Sequence, residues 1–428
     1  MRHTVTREML SSASTSTTGA ARGCARRCRR RRAARCVARF TPRGADEDVD
    51  RVGVLDVMCG RRQGAAMLAT LATTIGGGCA HAATTSSSSL FCGYFDEYSN
   101  GLVPQYAFNT PWNEGYVDGA DGAKTFVRGV GDYKKAKKEA NAPVFVIANG
   151  PGISHEYLSG VETLSGEVGG AREVFEYDQR GCGKSDAVGG ERNIDVYLNE
   201  ARDVVKALRL ADEGGAHVLA HGYWGARIAL TLALETPGLV RSLTLVSPAP
   251  SYARQVADWR LALDEVSQSA RDAILTYEQD LDARARPAYD DAMREFSSKF
   301  VTRRGASGGC FDRALAPASC DAQRLAITGG KYFTLDGSLA QDTLPLAGLG
   351  AKLGANGVKA VRVVRGEFDA VRETSAREIV DAVNADANQG APFCAYDDVP
   401  NAASCVFLDR GDYFFETLNV CVETAESS

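Results

Sequence analysis

Residues 217–234 read HVLAHGYWGARIALTLAL. A short apolar strand, a glycine-bearing turn and an apolar helix in that order can present a nucleophile at the top of a sheet. The turn should then read G-x-S-x-G, with the serine exposed. The serine is absent here. Anchoring on Trp224-Gly225 and the helix that follows puts Tyr223 at the nucleophile position, whereas anchoring on the strand puts Gly222 there. No Ser or Cys occurs between Asp186 and Ser242. A phenol with a pKa near ~10 is bulky, delocalised and a poor acyl acceptor. The turn therefore has the form of a catalytic element without its reacting atom.

Several elements must position such a turn. GYVDGADGAKTFVRGVGD, from Gly115, alternates around glycine turns and predicts a β-hairpin. PVFVIA (143–148) and EVFEYD (173–178) are short apolar runs that predict buried strands. Residues 194–210 carry apolar side chains at helical spacing, and strand HVLA, the turn helix and strand SLTLV follow. This alternation predicts a mainly parallel sheet with helices on both faces. From about Tyr252 to Gly337 the pattern turns charged and helical, with DWRLALDEVSQSARDAILTYEQDL reading as one amphipathic helix. Alternation resumes with KAVRVVRG (359–366), a helix over 374–384, a strand SCVFLD (404–409) and a final helix. The division expected is a core of residues 113–251 and 346–428 with a helical cap at 252–345.

The 428 residues are ample for one large core. A net charge of −5 argues against a general nucleic-acid binder. Before Gly44 the single acid is Glu8, among many Arg, Ala, Ser and Thr, the composition of an organelle transit peptide or of a basic tail. Arg61-Arg62, an uncharged stretch and Ala80–Ala82 then resemble a twin-arginine export signal. The apolar stretch is too short to cross a bilayer, which needs ~20 residues. The tandem predicts a presequence over 1–82, a linker over 83–112 and a thylakoid-lumen address, with another exported or organellar compartment as the alternative. No transmembrane anchor is expected in the mature chain. Of twelve cysteines, Cys24, Cys28, Cys36, Cys59 and Cys79 precede Ala83. Cys310 with Cys320, and Cys394 with Cys405, are spaced for loop disulfides or for buried thiols, and both readings stay open. No spacing suggests a metal site or a cofactor.

ANGPGISHEYL (from Ala148), EYDQRGCGKSD (from Glu176), HGYWGARIALTLALETPGLVRSLTLVSP (from His221) and VRGEFDAVRETSA (from Val364) stand in a characteristic order. The chain resembles the proline iminopeptidases of the α/β-hydrolase superfamily over roughly 115–416. The resemblance implies an α/β-hydrolase sheet with a helical cap. It also implies removal of an N-terminal residue, often Pro, from short peptides by Ser, His and Asp without a metal. It places the triad acid at Asp369 and the base position at Asp412, or Gly411, in LDRGDYFFET. There the family's His is lost, and no His follows His221. A carboxylate beside Asp369 would repel it and could not stand in for an imidazole. Each loss removes roughly four decades of rate.

The family's oxyanion loop becomes Ala148-Asn149-Gly150-Pro151-Gly152, with backbone donors expected near Gly150 and at Trp224. Asn149 and Gly152 belong to the same loop, in which Gly and Pro can also serve only to shape the turn. Tyr332 replaces the cap glutamate that holds a substrate amine in related enzymes, while Glu278, Asp280 and Asp282 remain as cap carboxylates. His155 reads as support for the oxyanion loop and His217 as meeting backbone. A new pair of His221 with Tyr223 is disfavoured, because neighbours in a turn point apart. The chain thus reads as a non-catalytic relative that binds a small molecule, a short peptide or a protein partner. The alternative is an active aminopeptidase or hydrolase with a relocated nucleophile, Ser154 or Ser185.

Overall fold

The computed structural model describes residues 110–166, 169–187, 193–280, 287–303, 314, 325–386 and 390–428. The expected presequence, most of the linker, Asp282, Cys310 and Cys320 lie outside these residues.

The hairpin forms as expected, from β1 (Trp112–Asp118) and β2 (Lys124–Val130), and a short helix α1 (Tyr133–Glu139) follows. Strands β3 (Val144–Ile147), β4 (Val174–Tyr177), β5 (Ala216–His221), β6 (Val240–Val246), β7 (Ala360–Gly366) and β8 (Phe393–Val399) complete the sheet. Its order is β1-β2-β4-β3-β5-β6-β7-β8, antiparallel at the hairpin end and parallel from β4 onward. Every residue of β3, β4 and β5 is buried. Helices cover both faces of the parallel strands, so these read as unbroken apolar runs rather than as alternation.

Helices α2 (Ile194–Ala207), α3 (Gly222–Glu235), α7 (Leu349–Ala355) and α8 (Glu373–Asn384) pack on one face through Leu198, Ile228, Leu353 and Ile379. The other face meets a 3-10 stretch (His155–Ser165), the cap and the last helix, α10 (Gly411–Glu426), through Leu158, Ile274 and Phe414. Truncating Ile228 to Ala would cost about 2–5 kcal/mol through lost burial and the cavity left behind.

Between β6 and β7 the chain forms α4 (Tyr252–Ala262), α5 (Gln268–Gln279) and α6 (Pro287–Phe300). The single amphipathic helix expected over 258–281 is broken. A 3-10 turn at Leu263–Glu265 ends its first part, and the Ser267 side chain accepts from Ala270 N–H to start α5. An N-cap of this kind contributes about 1 kcal/mol.

The strand expected at Ser404–Asp409 is also corrected. The last strand is FCAYDDV, and Val406–Asp409 is a short helix, α9. Ion pairs Arg362–Asp397 and Arg365–Asp398 pin β8 to β7, and the Asn384 amide brackets Cys394 through both its backbone groups. Side-chain pairing rather than apolar alternation fixes this strand, so its polar sequence conceals it. Cys394, Cys405 and Cys421 are free, buried thiols, and Cys182 is buried too. Among the described residues no helix is long and apolar enough to cross a membrane, and no cluster of three metal-ligating side chains occurs.

Candidate functional site

The turn between β5 and α3 follows the anchoring from the strand. Gly222 takes the left-handed backbone, φ 70°. Tyrosine is poorly tolerated there, because its Cβ crowds the neighbouring carbonyl. Tyr223 follows Gly222 in α3, 1% exposed, and its hydroxyl donates to Asp342 Oδ2 at 2.6 Å. Burial and the Asp342 hydrogen bond both push its ionisation far above the ordinary phenol value, so it is a neutral donor. Gly225 still lets α3 close on β3: a Cβ there would lie 3.1 Å from Ile147 O.

The space above Gly222 is filled. A Cβ on Gly222 would lie 2.3 Å from Asn149 Oδ1. That oxygen accepts from Gly150 N–H at 2.9 Å, so the loop's expected donor is turned onto its own neighbour. Asn149 N–H donates to Tyr157 Oη (2.8 Å), which also meets His221 Nδ1 at 2.9 Å. His221 Nε2 lies 3.2 Å from Ser404 Oγ. Burial lowers this histidine to about 4, so it is a neutral ring at ordinary pH.

The Asp-Gln-Arg-Gly turn props up the same loop. Gln179 Nε2 donates to Ala148 O (3.0 Å), and its Oε1 accepts from the Trp224 indole (2.9 Å). The Trp224 ring therefore belongs to this buttress beneath Gly150. Asp178 accepts from both Nδ1 and the backbone N–H of His155. Burial works against charge on His155, but Asp178 outweighs it and raises the imidazolium to about 9. Gly152, φ 91°, completes the loop.

Asp369 lies just after β7. Its Oδ1 accepts from Val371 N–H at 2.9 Å, while buried Oδ2 has no hydrogen-bond partner. Burial raises this carboxyl to about 6, against opposing effects of Ser247 and Arg365. The turn that faces it is Pro400–Cys405, directly after β8. Phe368 N–H donates to Ala402 O there, and Ser247 Oγ to Ser404 O. Asp412 sits elsewhere, in the first turn of α10, with a 70% exposed side chain paired to Arg410. The displacement of β8 explains this: the turn after the last strand comes several residues earlier than the sequence suggests. No histidine stands in it. Cap residues close over the same turn instead. Ser404 and Cys405 N–H donate to Phe300 and Val301 carbonyls, and Asp409 takes the Thr302 hydroxyl.

In the cap, Tyr332 contributes its backbone, donating N–H to Glu278 Oε1 at 3.0 Å. Its ring stacks on Trp259, centroids 6.3 Å apart. Glu278 Oε2 and Trp259 Nε1 are buried without hydrogen-bond partners. His217 meets side chains rather than backbone: Ser242 Oγ at 2.8 Å and Glu426 at 3.4 Å. Ser242 and His217 are both 1% exposed inside the sheet, so this trio anchors the last helix. Ser404 and Asn149 are the features that sequence reasoning undervalued. Their signal was contact across the fold, which spacing does not carry.

Residues 142–279 match a family profile described as alpha/beta hydrolase fold. A proline iminopeptidase from Heyndrickxia coagulans is 29% identical over 194 residues, 45% of this chain and 62% of the relative. One from Saccharolobus solfataricus is 32% identical over 168 residues, 39% of this chain and 52% of the relative. The chain thus spans little more than half the length of these curated relatives. The crystal structure of a Mycobacterium smegmatis proline iminopeptidase superposes with a TM-score of 0.61 at 21% identity, covering 73% of this chain and 99% of that one. The structure of VinJ gives the same TM-score at 19% identity, with the same coverage. Such distant structural likeness speaks for the fold alone. The chain has the α/β-hydrolase fold and is similar in sequence to proline iminopeptidases.

Proposed function

We propose that this chain is a non-catalytic member of its family that binds an amine-bearing small molecule or short peptide beneath the cap. One observation carries the reading. The left-handed residue of the turn is a glycine, and the Asn149 side chain occupies the space a nucleophile's side chain would need. The turn that faces Asp369 holds no histidine, so a serine placed at the elbow would find no base. The unpartnered Glu278 Oε2, on the carboxylate that accepts from Tyr332 N–H, supports a binding role, since a buried carboxylate oxygen left without a partner suits an ammonium group.

The alternative, a relocated nucleophile, has one observation in its favour: Ser404 Oγ lies 3.2 Å from His221 Nε2. A ring held near 4 is a weak base at neutral pH, and this pair is the weaker reading. Ser185 is committed to the Asp178 carbonyl and the Phe126 N–H, and Ser154 is 2% exposed. The test is labelling with a fluorophosphonate probe, together with release from an N-terminal prolyl amide. No labelling and no turnover are expected. Labelling at Ser404, lost in Ser404→Ala, would establish the alternative. The thylakoid lumen remains the location we propose, resting on the N-terminal segments alone. A fluorescent tag at the C-terminus that fails to reach the chloroplast would remove it.

A further inference from the structure

The hydroxyl of Tyr223 meets the segment at the cap's exit. Asp342, its acceptor at 2.6 Å, is also held by Arg227 Nε, one turn further along α3, at 3.3 and 3.2 Å to its two oxygens. The Asp342 side chain is 16% exposed, so these charge-assisted bonds form in a largely dry setting. The backbone of the same residue ties the cap's two hinges together. Asp342 O accepts from Tyr252 N–H at 3.2 Å, at the start of α4. Ser251 and Thr343 form an antiparallel bridge, and Leu344 N–H donates to Pro250 O at 2.9 Å. The chain therefore leaves the core and returns to it along a single paired strip. One residue of that strip, Asp342, reaches into α3, and the Tyr252 ring lies 6.0 Å from the Tyr223 ring above it.

We propose that Tyr223, with Arg227, clasps Asp342 and locks both hinges of the cap onto the elbow helix, so that opening the cap requires breaking this clasp. The side chain next to the vanished nucleophile thereby sets how readily the cap moves. A serine or glycine at 223 could not span to Asp342, because neither carries a hydroxyl at the far end of a ring. The clasp needs no ligand and stands whether or not the cap covers a binding site.

Hydrogen exchange followed by mass spectrometry on the full chain tests this. Tyr223→Phe keeps the ring and its packing and removes the hydroxyl alone. Amides in 251–263 and 325–345 should then exchange about 5–30-fold faster, the factor expected for one or two kcal/mol of lost contact. Amides of β3, β5 and β6 should keep their rates. Asp342→Ala should give the same pattern, and adding Tyr223→Phe to it should change little further, because the two changes remove a shared contact. Unchanged hinge exchange would overturn the proposal. Equal acceleration in the core strands would also overturn it, since that marks general loss of stability. Should Tyr223→Phe not fold, Arg227→Gln reads the same clasp from its other side.

Discussion

Replacing Gly222 by Ala tests whether Asn149 has taken the nucleophile's place. Gly222 sits at φ 70°, where an L side chain costs about 1–2 kcal/mol. Its new Cβ would lie 2.3 Å from Asn149 Oδ1 and 2.4 Å from Asn149 Cγ, so that side chain must swing away. Doing so breaks its 2.9 Å bond from Gly150 N–H, worth about 1 kcal/mol net. The single change should therefore destabilise by about 2–3 kcal/mol. Asn149→Gly alone removes the same hydrogen bond and should cost about 1 kcal/mol. In the double variant the clash is gone and the bond is lost only once. Its cost should fall about 1 kcal/mol short of the sum. Urea unfolding of the four proteins, with a shared slope, measures this cycle. Additivity within about 0.5 kcal/mol would show that the two residues do not share that space, and the reasoning would fail.

The remaining predictions concern pH, the cap carboxylate and the vacated acid. Stability should fall as pH rises from about 6.5 to 9. His155, raised to about 9, contributes stability below its unfolded value of 6.5 and loses it as it deprotonates. Glu176, pushed up to about 8 by burial and Glu162, holds a proton that the unfolded chain releases near 4.5, so its effect has the same sign. The combined loss is on the order of 3 kcal/mol or more, and chemical unfolding at several pH values should show a shallower slope in Glu176→Gln. Equal stability at pH 6.5 and 9 would contradict both assignments. Glu278→Gln should weaken binding of a proline-bearing dipeptide about tenfold by calorimetry, the loss of one charge-assisted contact, and wild-type affinity in that variant would remove Glu278 from the site. Asp369→Asn should leave stability at neutral pH unchanged or raise it by up to about 1 kcal/mol, because a buried, half-satisfied carboxylate is relieved; a large loss would mean that its charge is needed for the fold.

Local pattern in the sequence was enough for the hairpin, for β3 to β7, for α2 and α3 and for the lost serine, because apolar runs and turn residues act over a few neighbours. The family likeness followed from the Asp-Gln-Arg-Gly turn and the elbow helix, whose packing demands hold whether or not the turn is catalytic. Other features waited on the tertiary structure. β8 is held by Arg362–Asp397 and Arg365–Asp398 across strands, so its polar residues hid it and moved the expected base position to Asp412. The amphipathic pattern beyond Tyr252 could not show that Ser267 restarts the helix. Which residue takes the left-handed place was open between Gly222 and Tyr223, and the cost of a Cβ there assigned it to glycine. The partners of Tyr223 and Gly222, Asp342 and Asn149, lie 119 and 73 positions away in the chain. The sequence by itself determined that the elbow turn carries no serine. Only the folded chain decided what stands in its place, because that depends on which distant side chains the sheet brings to one turn.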